Sequence, residues 1–307
     1  MKKGKYLITG CAGFIGSNLV KNLYKDYDLI LVDDLSEGKL KNLPTNIRKK
    51  LIKKKIQDIR KLNANKINGI FHLAAQASVP LSIENFYKSS SNNLLSSLRV
   101  LEISKEFSAP VVYASSSAVY GNLALGNDKI KSYSILSPYA QDKLSLEDYA
   151  QMLSKVYNIS SVGLRLFNVY GPGQTFTSPY SAVVPIFIYR ILNNLPVIIN
   201  GGFQTRDFIY VDDVISVMKK SMTKIQKKKI CASFNVGTGT SVTINKLFNL
   251  LKNIIGNNPK LIRKKLGKHD PIKSSGTLKE SNKFFKLKKE NFTKIEDGLV
   301  NTINYFK

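Results

Sequence analysis

The chain has 307 residues, of which 43% are hydrophobic and 22% are charged, a composition that excludes fibrous, disordered and small disulfide-stabilised proteins. Its 47 Lys and Arg residues against 21 Asp and Glu give a formal net charge of +26, which would suit a nucleic acid or another polyanion. The lysines are spread along the chain in short runs with few arginines or interleaved aromatic residues. We therefore interpret them as solvated surface and expect no nucleic-acid partner.

The first residues imitate a secretion signal, because Met1–Lys3 is basic and residues 6–9 are mostly apolar. That apolar run is shorter than the ~7–15 residues such a signal needs. No apolar run approaches the roughly 18–20 residues of a membrane-spanning helix. The only cysteines are Cys11 and Cys231, too few for a disulfide framework. We therefore expect a cytoplasmic protein without a membrane segment.

The first half of the chain alternates short apolar runs with helical patterns. Continuous Ile, Leu and Val runs are typical of strands that are buried on both faces of a parallel sheet. Strand–helix–strand repetition predicts an α/β fold with a Rossmann-type doubly wound parallel sheet. The predicted strands are 5–9, 29–32, 70–73 and 111–114, and the predicted helices are 16–25 and 92–107.

From about Phe167 onwards the elements become shorter and are interrupted by glycines and prolines, as in residues 171–173. We expect a smaller α/β region on the C-terminal side. The predicted dinucleotide-binding domain comprises residues 1–167, with 208–240 returning to it. The predicted second domain comprises 168–207 and 241–307.

Glycines are closely spaced between the first predicted strand and the first predicted helix, at Gly10, Gly13 and Gly16. Such a loop lets backbone N–H groups and the helix N-terminus approach a pyrophosphate. Asp33, about 20 residues further on at the end of the second predicted strand, would bind the adenosine ribose hydroxyls. A carboxylate there repels a 2′-phosphate, so NAD is favoured over NADP. The alternative is an ordinary turn followed by a strand-end aspartate.

A reactive pair is predicted at Tyr139 and Lys143, which are four residues apart and share one face of a helix that begins near Pro138. A nearby ammonium stabilises a phenolate and would lower the tyrosine pKa toward working pH. The serines of residues 115–117 follow a buried strand, at the end where α/β sheets bind ligands. One of their hydroxyls could share a proton in transit. The alternative for the Tyr–Lys pair is an ordinary helix surface.

These motifs, together with residues 72–76, 115–121 and 164–173, resemble the extended short-chain dehydrogenase/reductases. Within them the chain is similar to NAD-dependent sugar-nucleotide epimerases, particularly UDP-glucose and UDP-N-acetylglucosamine 4-epimerases. The resemblance implies NAD as cofactor, a UDP-sugar as substrate and a second domain that binds the nucleotide sugar. It also implies a homodimer built from helices around residues 93–107 and 139–157.

The resemblance implies functional residues in both predicted domains. The implied catalytic residues are Ser116, Tyr139 and Lys143. Those implied to hold NAD are Gly10, Gly13, Phe14, Ile15, Gly16, Asp33, Ser36, Gly38, Asp58, Ile59, Leu73, Ala74, Ala75, Asn93, Tyr139 and Lys143. Those implied to bind the UDP-sugar are Ser78, Ser116, Asn168, Val183, Asn200, Arg206, Asp270 and Ser274, with Arg206 clamping the diphosphate.

The chain departs from the family pattern at two places. The family's late Arg-x-Gly-Asp pattern has no clean counterpart in this chain. If Asp270 is aligned with the aspartate of the pattern, Gly267 stands at the position of its arginine. A lysine or Arg263 must then bind the second phosphate. Related dehydratases carry Asp-Glu after the catalytic hydroxyl residue, whereas here Ser117 and Ala118 follow Ser116. Without an acid to protonate a leaving hydroxyl, elimination of water is disfavoured.

The resulting hypothesis is 4-epimerisation of a UDP-hexose by transient oxidation at C4. The resemblance places Ser274 where a bulky side chain excludes an N-acetyl group in some relatives, and the segment 76–80 resembles epimerases that accept N-acetylated sugars. Both favour UDP-GlcNAc/UDP-GalNAc, with UDP-glucose or UDP-glucuronate as runner-up substrates. The sequence leaves open a net oxidoreductase, dehydratase or decarboxylase on the same fold, and a non-catalytic NAD-sensing or nucleic-acid-binding protein. His72 and His269 lack partners at metal-ligand spacing, so no metal is expected.

Overall fold

The computed structural model describes residues 2–123, 125–129, 132–176, 181–267 and 270–307. The chain forms two compact units. The first unit comprises Met1–Ser116, Ser137–Arg165 and Ile215–Phe234, and the second comprises Ser117–Leu136, Leu166–Val214 and Asn235–Lys307. Each unit is therefore assembled from separate stretches of sequence.

The strands and helices alternate through most of the chain. The strands are β1 (Lys5–Thr9), β2 (Asp28–Val32), β3 (Leu51–Ile52), β4 (Gly69–His72), β5 (Val111–Ser116), β6 (Ser161–Leu166), β7 (Asn168–Tyr170), β8 (Val197–Asn200), β9 (Thr205–Tyr210), β10 (Cys231–Val236), β11 (Ser241–Thr243), β12 (Leu261–Lys264) and β13 (Lys273–Ser274). The α-helices are α1 (Phe14–Leu23), α2 (Val79–Glu84), α3 (Phe86–Phe107), α4 (Pro138–Tyr157), α5 (Val183–Leu192), α6 (Val211–Ile225), α7 (Ile244–Ile255), α8 (Lys279–Phe285) and α9 (Ile295–Phe306).

The first unit is built on a seven-stranded sheet in the order β10-β6-β5-β4-β1-β2-β3. The strands from β3 to β5 pair in parallel, with β1 between β2 and β4. From β1 the chain adds β2 and β3 on one side of the sheet, and β4, β5 and β6 on the other. This is the topology of a doubly wound sheet, and it places the carboxyl ends of β1 and β4 side by side. The expected Rossmann-type fold class is confirmed.

One hydrophobic core joins this sheet to its helices. Leu7 of β1, Ile70 of β4 and Val111 of β5 are fully buried, and they belong to the same cluster as Val100 of α3 and Leu146 of α4. The helices α3 and α4 thus bury one face against the strands and against each other. Burial of these apolar side chains, at about 25 cal/mol per Å², fixes α4 relative to the end of β5.

The second unit contains a four-stranded sheet in which β9 pairs with β11, β13 and β7, and a small parallel pair of β8 and β12. The expected division assigned residues 117–136 and 208–214, together with the short stretches 166–167 and 235–240, to the dinucleotide-binding domain, but the structure includes all of them in the second unit. Gly126 explains the first difference, because its N–H donates to Ser275 O at 2.9 Å and its carbonyl accepts from Thr277 N at 2.8 Å. The second arises because β9 runs to Tyr210 within the second sheet.

In the part of the chain that the structure describes, no helix is both long enough and apolar enough to cross a membrane.

Candidate cofactor and catalytic site

Two glycines around the turn from β1 into α1, Gly10 and Gly16, stand where a side chain would not fit. Gly10 has a φ of +67°, and a Cβ there would lie 2.6 Å from the backbone nitrogen of Ala74. A Cβ at Gly16 would overlap the carbonyl oxygen of Gly10. Gly13 is the N-cap of α1, in extended conformation and without a side-chain cap. The first-turn N–H groups of α1, beginning with Phe14 and Ile15, therefore suit a pyrophosphate.

Asp33 at the end of β2 is 7% exposed and ties the strand to this loop. Its Oδ2 accepts from Ala12 N and its Oδ1 from Leu35 N, both at 2.8 Å. Burial raises the pKa of Asp33, while the two N–H donors oppose that effect. A Cβ at Gly38 would lie 2.8 Å from Asp33 Oδ1, so the backbone closes in beside the carboxylate. These residues fit the ribose end of a dinucleotide.

Three other residues predicted near the adenosine differ in their surroundings. Ser36 is turned toward Asp34, whose Oδ1 accepts from the hydroxyl of Ser36 at 2.6 Å and from its backbone nitrogen at 3.0 Å. Asp58 is exposed at the end of a short 3-10 turn. Ile59 is 6% exposed and belongs to the hydrophobic core of the first unit. Their contacts with the adenosine stay predictions.

The loop after β4 lies beside the glycine loop. Thr9 Oγ1 accepts from the backbone nitrogens of Leu73 and Ala74, both at 3.3 Å, and lies 2.8 Å from His72 Nδ1. His72 is 2% exposed, and its Nε2 lies 3.3 Å from Ser97 Oγ. Burial lowers the pKa of His72 to about 3, so the ring is neutral. His72 is thus a buried hydrogen-bonding group that joins β1, β4 and α3.

Within the described residues, no cluster of three or more His, Cys, Asp and Glu side chains could hold a metal ion, and His269 lies outside these residues. Cys11 of the glycine loop is fully buried, and burial raises the pKa of its thiol. A buried thiol of this kind is a poor nucleophile.

Ser116, Tyr139 and Lys143 are brought together where β5 ends. The helix α4 begins because Ser137 Oγ accepts from Ala140 N at 3.2 Å and Pro138 occupies the first turn. Tyr139 and Lys143 are 9% and 5% exposed. The Ser116 side chain is hydrogen-bonded to Tyr139. Lys143 Nζ donates to Ala114 O at 2.8 Å and lies 5.7 Å from the centre of the Tyr139 ring.

The ionisation of this group differs from the expectation. Burial raises the pKa of Tyr139 and the negative charge of Asp142 adds to this, whereas the hydrogen bond with Ser116 lowers it. Burial also lowers the pKa of Lys143 to about 8, although Asp142 opposes that change. We expected Lys143 to lower the pKa of Tyr139, but in the chain alone that pKa is raised, and burial is the largest cause. A phenolate here needs further positive charge.

The polar side chains around α4 include one that sequence reasoning did not single out, Asp142, beside two that it did. Asn93 of α3, predicted to line the cofactor pocket, is 3% exposed and bonds to Gln76 and to Asp142. Ser78, predicted at the substrate, caps α2 by accepting from Leu81 N at 3.2 Å. Residues 139, 142 and 143 share a helical face, so periodicity could have identified Asp142.

In the second unit, Arg206, Asp270 and Ser274 are neighbours. Arg206 is 9% exposed, and its Nη2 forms an ion pair with Asp270 Oδ1. Ser274 is the register partner of Arg206 between β13 and β9. Asp207 is 1% exposed and accepts from Thr238 N at 2.9 Å, from Thr238 Oγ1 at 2.7 Å and from Gly239 N at 2.8 Å. This bonding fixes the strand next to Arg206.

The other predicted substrate residues stand at the ends of second-unit elements. Asn168 is the first residue of β7 and pairs in register with Phe208, and Val183 is the first residue of α5. Asn200 ends β8 and is the register partner of Lys264. Arg263 Nη1 donates to Asn245 Oδ1 at 3.1 Å and is exposed.

Comparison with known proteins identifies similar enzymes. The family model described as NAD dependent epimerase/dehydratase family matches residues 6–237. The chain is 33% identical over 263 residues to a UDP-glucose 4-epimerase of Mycolicibacterium smegmatis, covering 81% of this chain and 82% of that protein. It is 31% identical to a UDP-glucuronate 4-epimerase of Thermodesulfobacterium geofontis, covering 99% and 96% of the two chains.

A solved structure extends the similarity over both units. It is described as UDP-N-acetylglucosamine 4-epimerase from Methanobrevibacter ruminantium in complex with UDP-N-acetylmuramic acid. The TM-score is 0.92 at 34% identity, and the match covers 100% of this chain and 99% of that chain.

Proposed function

Because this chain belongs to the NAD-dependent epimerase/dehydratase family and its cofactor is NAD, we propose that it inverts C4 of a UDP-hexose, with UDP-GlcNAc and UDP-GalNAc as its preferred pair. The main support is the group formed by half-buried Ser116 and buried Tyr139 and Lys143, which stands at the carboxyl end of β5 in the unit that carries the glycine loop. Open α/β sheets bind their ligands at this end.

In this proposal Tyr139 acts as a phenolate, whose Oη accepts the proton of the C4 hydroxyl and later returns it. Ser116, already hydrogen-bonded to Tyr139, holds the hydroxyl and shares the proton in transit. Lys143, fixed by Ala114 O, stays mostly protonated at neutral pH because its pKa is about 8. Bound NAD⁺ would add the missing positive charge and would take up and give back the hydride.

The same residues argue against elimination of water. Ser117 and Ala118 follow Ser116, so neither supplies an acid at the place where related dehydratases carry Asp-Glu. With no net oxidation and no leaving group, the reaction that this set of residues can complete is inversion of the alcohol carbon. The cofactor would be regenerated in every turnover.

Arg206 is the residue that we propose for the diphosphate, because its guanidinium suits two phosphate oxygens. The Arg206–Asp270 ion pair would then have to open, since Asp270 occupies Nη2 in the chain alone. Ser274 supports the N-acetylated sugar, because a small residue in register with Arg206 leaves room for the acetamido group. UDP-glucose and UDP-glucuronate are the second candidates, and 4-epimerases named for them are among the similar proteins.

The test is to incubate purified protein, without added nicotinamide, with UDP-GlcNAc, UDP-glucose or UDP-glucuronate and to follow C4 inversion by proton NMR. We expect the fastest inversion with UDP-GlcNAc and no accumulation of NADH. Failure to invert any of the three sugars would contradict the proposal. A reduced cofactor, an unsaturated sugar or CO₂ as product would instead favour an oxidoreductase, dehydratase or decarboxylase.

We also propose that the enzyme is a homodimer. The outward faces of α3 and α4 carry exposed apolar side chains, namely Leu95, Leu98, Tyr149, Met152 and Val156, which we call the α3/α4 patch. A contiguous apolar patch on two packed helices is typical of a surface that meets another chain. A second copy would present the same patch, as a two-fold interface requires.

Changing Val156, 62% exposed in the α3/α4 patch, to Asp should shift the protein from dimer to monomer. The reason is that each interface would bury two added carboxylates without partners. Light scattering after gel filtration measures the mass. Val300→Asp, at an exposed valine of α9 in the second unit, is the matched control and should leave the mass unchanged. A monomeric wild-type protein would show that the patch does not dimerise the chain.

A further inference from the structure

A buried acidic side chain lies between the two reactive residues of α4. Asp142 follows Tyr139 by three residues and precedes Lys143, and it is 4% exposed. A buried carboxylate needs hydrogen-bond donors or an opposite charge. Asn93 of α3 provides one donor, with its Nδ2 at 3.0 Å from Asp142 Oδ2. The acid therefore joins α4 to α3 next to the reactive pair.

The bonding continues from Asn93 to the loop after β4. Asn93 Oδ1 accepts from Gln76 N at 2.8 Å, and Asn93 Nδ2 lies 3.2 Å from Gln76 O. The Asn93 side-chain amide therefore hydrogen-bonds to both the backbone N–H and the backbone carbonyl of Gln76. The Gln76 side chain in turn donates to Ser78 O at 3.1 Å and accepts from Ser89 Oγ at 2.8 Å. One connected set of hydrogen bonds thus runs from the reactive helix to the loop that contains Ala75 and Ser78.

We propose that Asp142 is a positioning residue of the catalytic centre, which holds the loop after β4 against α4 through the side chain of Asn93. The loop carries residues proposed for the cofactor and the sugar, and α4 carries Tyr139 and Lys143. The inference rests on the proposed function, because it assigns Asp142 a role in placing those groups for the same proton transfer. Small displacements of positioned groups have large kinetic effects.

The charge of Asp142 acts on the same two residues. It raises the pKa of Lys143 against the effect of burial and raises the pKa of Tyr139 as well. The other buried titratable side chains on the elements around α4 are neutral or paired. His72 of β4 is neutral because burial lowers its pKa to about 3. Glu147, one turn further along α4, is paired with Arg165 of β6, and Asn93 of α3 is uncharged.

Two substitutions separate position from charge. Asp142→Ala removes the acceptor of Asn93, so kcat should fall by about 10- to 100-fold with little change in KM. The affinity for NADH, measured by its fluorescence, should also fall because the loop is no longer hydrogen-bonded to α4 through Asn93.

Asp142→Asn retains an acceptor oxygen, so kcat at the optimum pH and the affinity for NADH should stay near wild type. Both limbs of its pH–rate profile should move to lower pH, because loss of the negative charge lowers the pKa of Lys143 and of Tyr139.

Asp148→Asn is the matched control, since it removes the same charge from an exposed position of α4. It should leave kcat, NADH affinity and the pH profile unchanged. Wild-type kcat in Asp142→Ala, or an unshifted profile in Asp142→Asn, would each overturn the inference. If wild-type protein inverts no UDP-sugar, the proposed function fails, and NADH affinity alone still decides the positioning role: equal affinity in wild type and Asp142→Ala would refute it.

Discussion

Tyr139→Phe is expected to lose C4 inversion by about 100- to 10,000-fold, the usual range for removing a general acid–base. The phenol is buried, and the substitution removes only the oxygen that is bonded to Ser116. The ring keeps its packing, so we expect an unchanged fold and retained NAD. Turnover of UDP-GlcNAc by proton NMR and the circular dichroism spectrum measure the two effects.

The control for this change is Tyr149→Phe, which removes a hydroxyl from an exposed tyrosine of the same helix. It should retain wild-type turnover. A Tyr139→Phe protein that is still largely active would remove the phenolate from the proposed mechanism.

Glu147→Gln is expected to lower the free energy of unfolding by about 3 to 5 kcal/mol, the cost of breaking a buried ion pair from one side. Glu147 and Arg165 are 2% and 3% exposed. Arg165 Nε donates to Glu147 Oε1 at 2.9 Å and Arg165 Nη2 to Glu147 Oε2 at 2.6 Å. Ser115 Oγ of β5 also donates to this carboxylate. Without the negative charge of Glu147, the guanidinium of Arg165 stays in the protein interior with no opposite charge beside it. Denaturant unfolding measures the loss.

The double variant Glu147→Leu/Arg165→Met is the control, because it removes both charges and fills the space with apolar groups. It should be more stable than Glu147→Gln. Equal stability of Glu147→Gln and wild type would show that the pair does not hold α4 to β5 and β6.

Much of the first unit could be predicted, because its signals are local. Glycine spacing predicted the loop before α1, and the helical spacing of Tyr139 and Lys143 predicted that both lie on one face of a helix. The beginning of α3 was missed by six residues, since the predicted helix 92–107 is Phe86–Phe107 in the structure. Ser89 and Ser90 of its first turns are buried although polar, so hydrophobic periodicity could not reveal them.

The parts that were not predicted depend on contacts between residues that are distant in the sequence. Residues 117–136 belong to the second unit because Gly126 pairs with Gly276. The Asn93–Asp142 hydrogen bond joins α3 to α4, and no local sequence pattern predicts it. The raised pKa of Tyr139 arises from the depth of burial. The spacing of Tyr139 and Lys143 identified a nearby ammonium group, but it could not show how strongly burial raises the pKa of the phenol.

The interleaving of the two units bears on how the protein is made. The chain passes from one unit to the other after Ser116, Leu136, Arg165, Val214 and Phe234. During synthesis, the first unit is complete only after the ribosome has added Phe234. The second unit is complete only after α9 has been added. Early nascent chains therefore hold strands whose neighbours are still untranslated, which exposes them to chaperones. Of the genes truncated at one of these boundaries, only one that ends at Phe234 encodes a whole unit, which is the first.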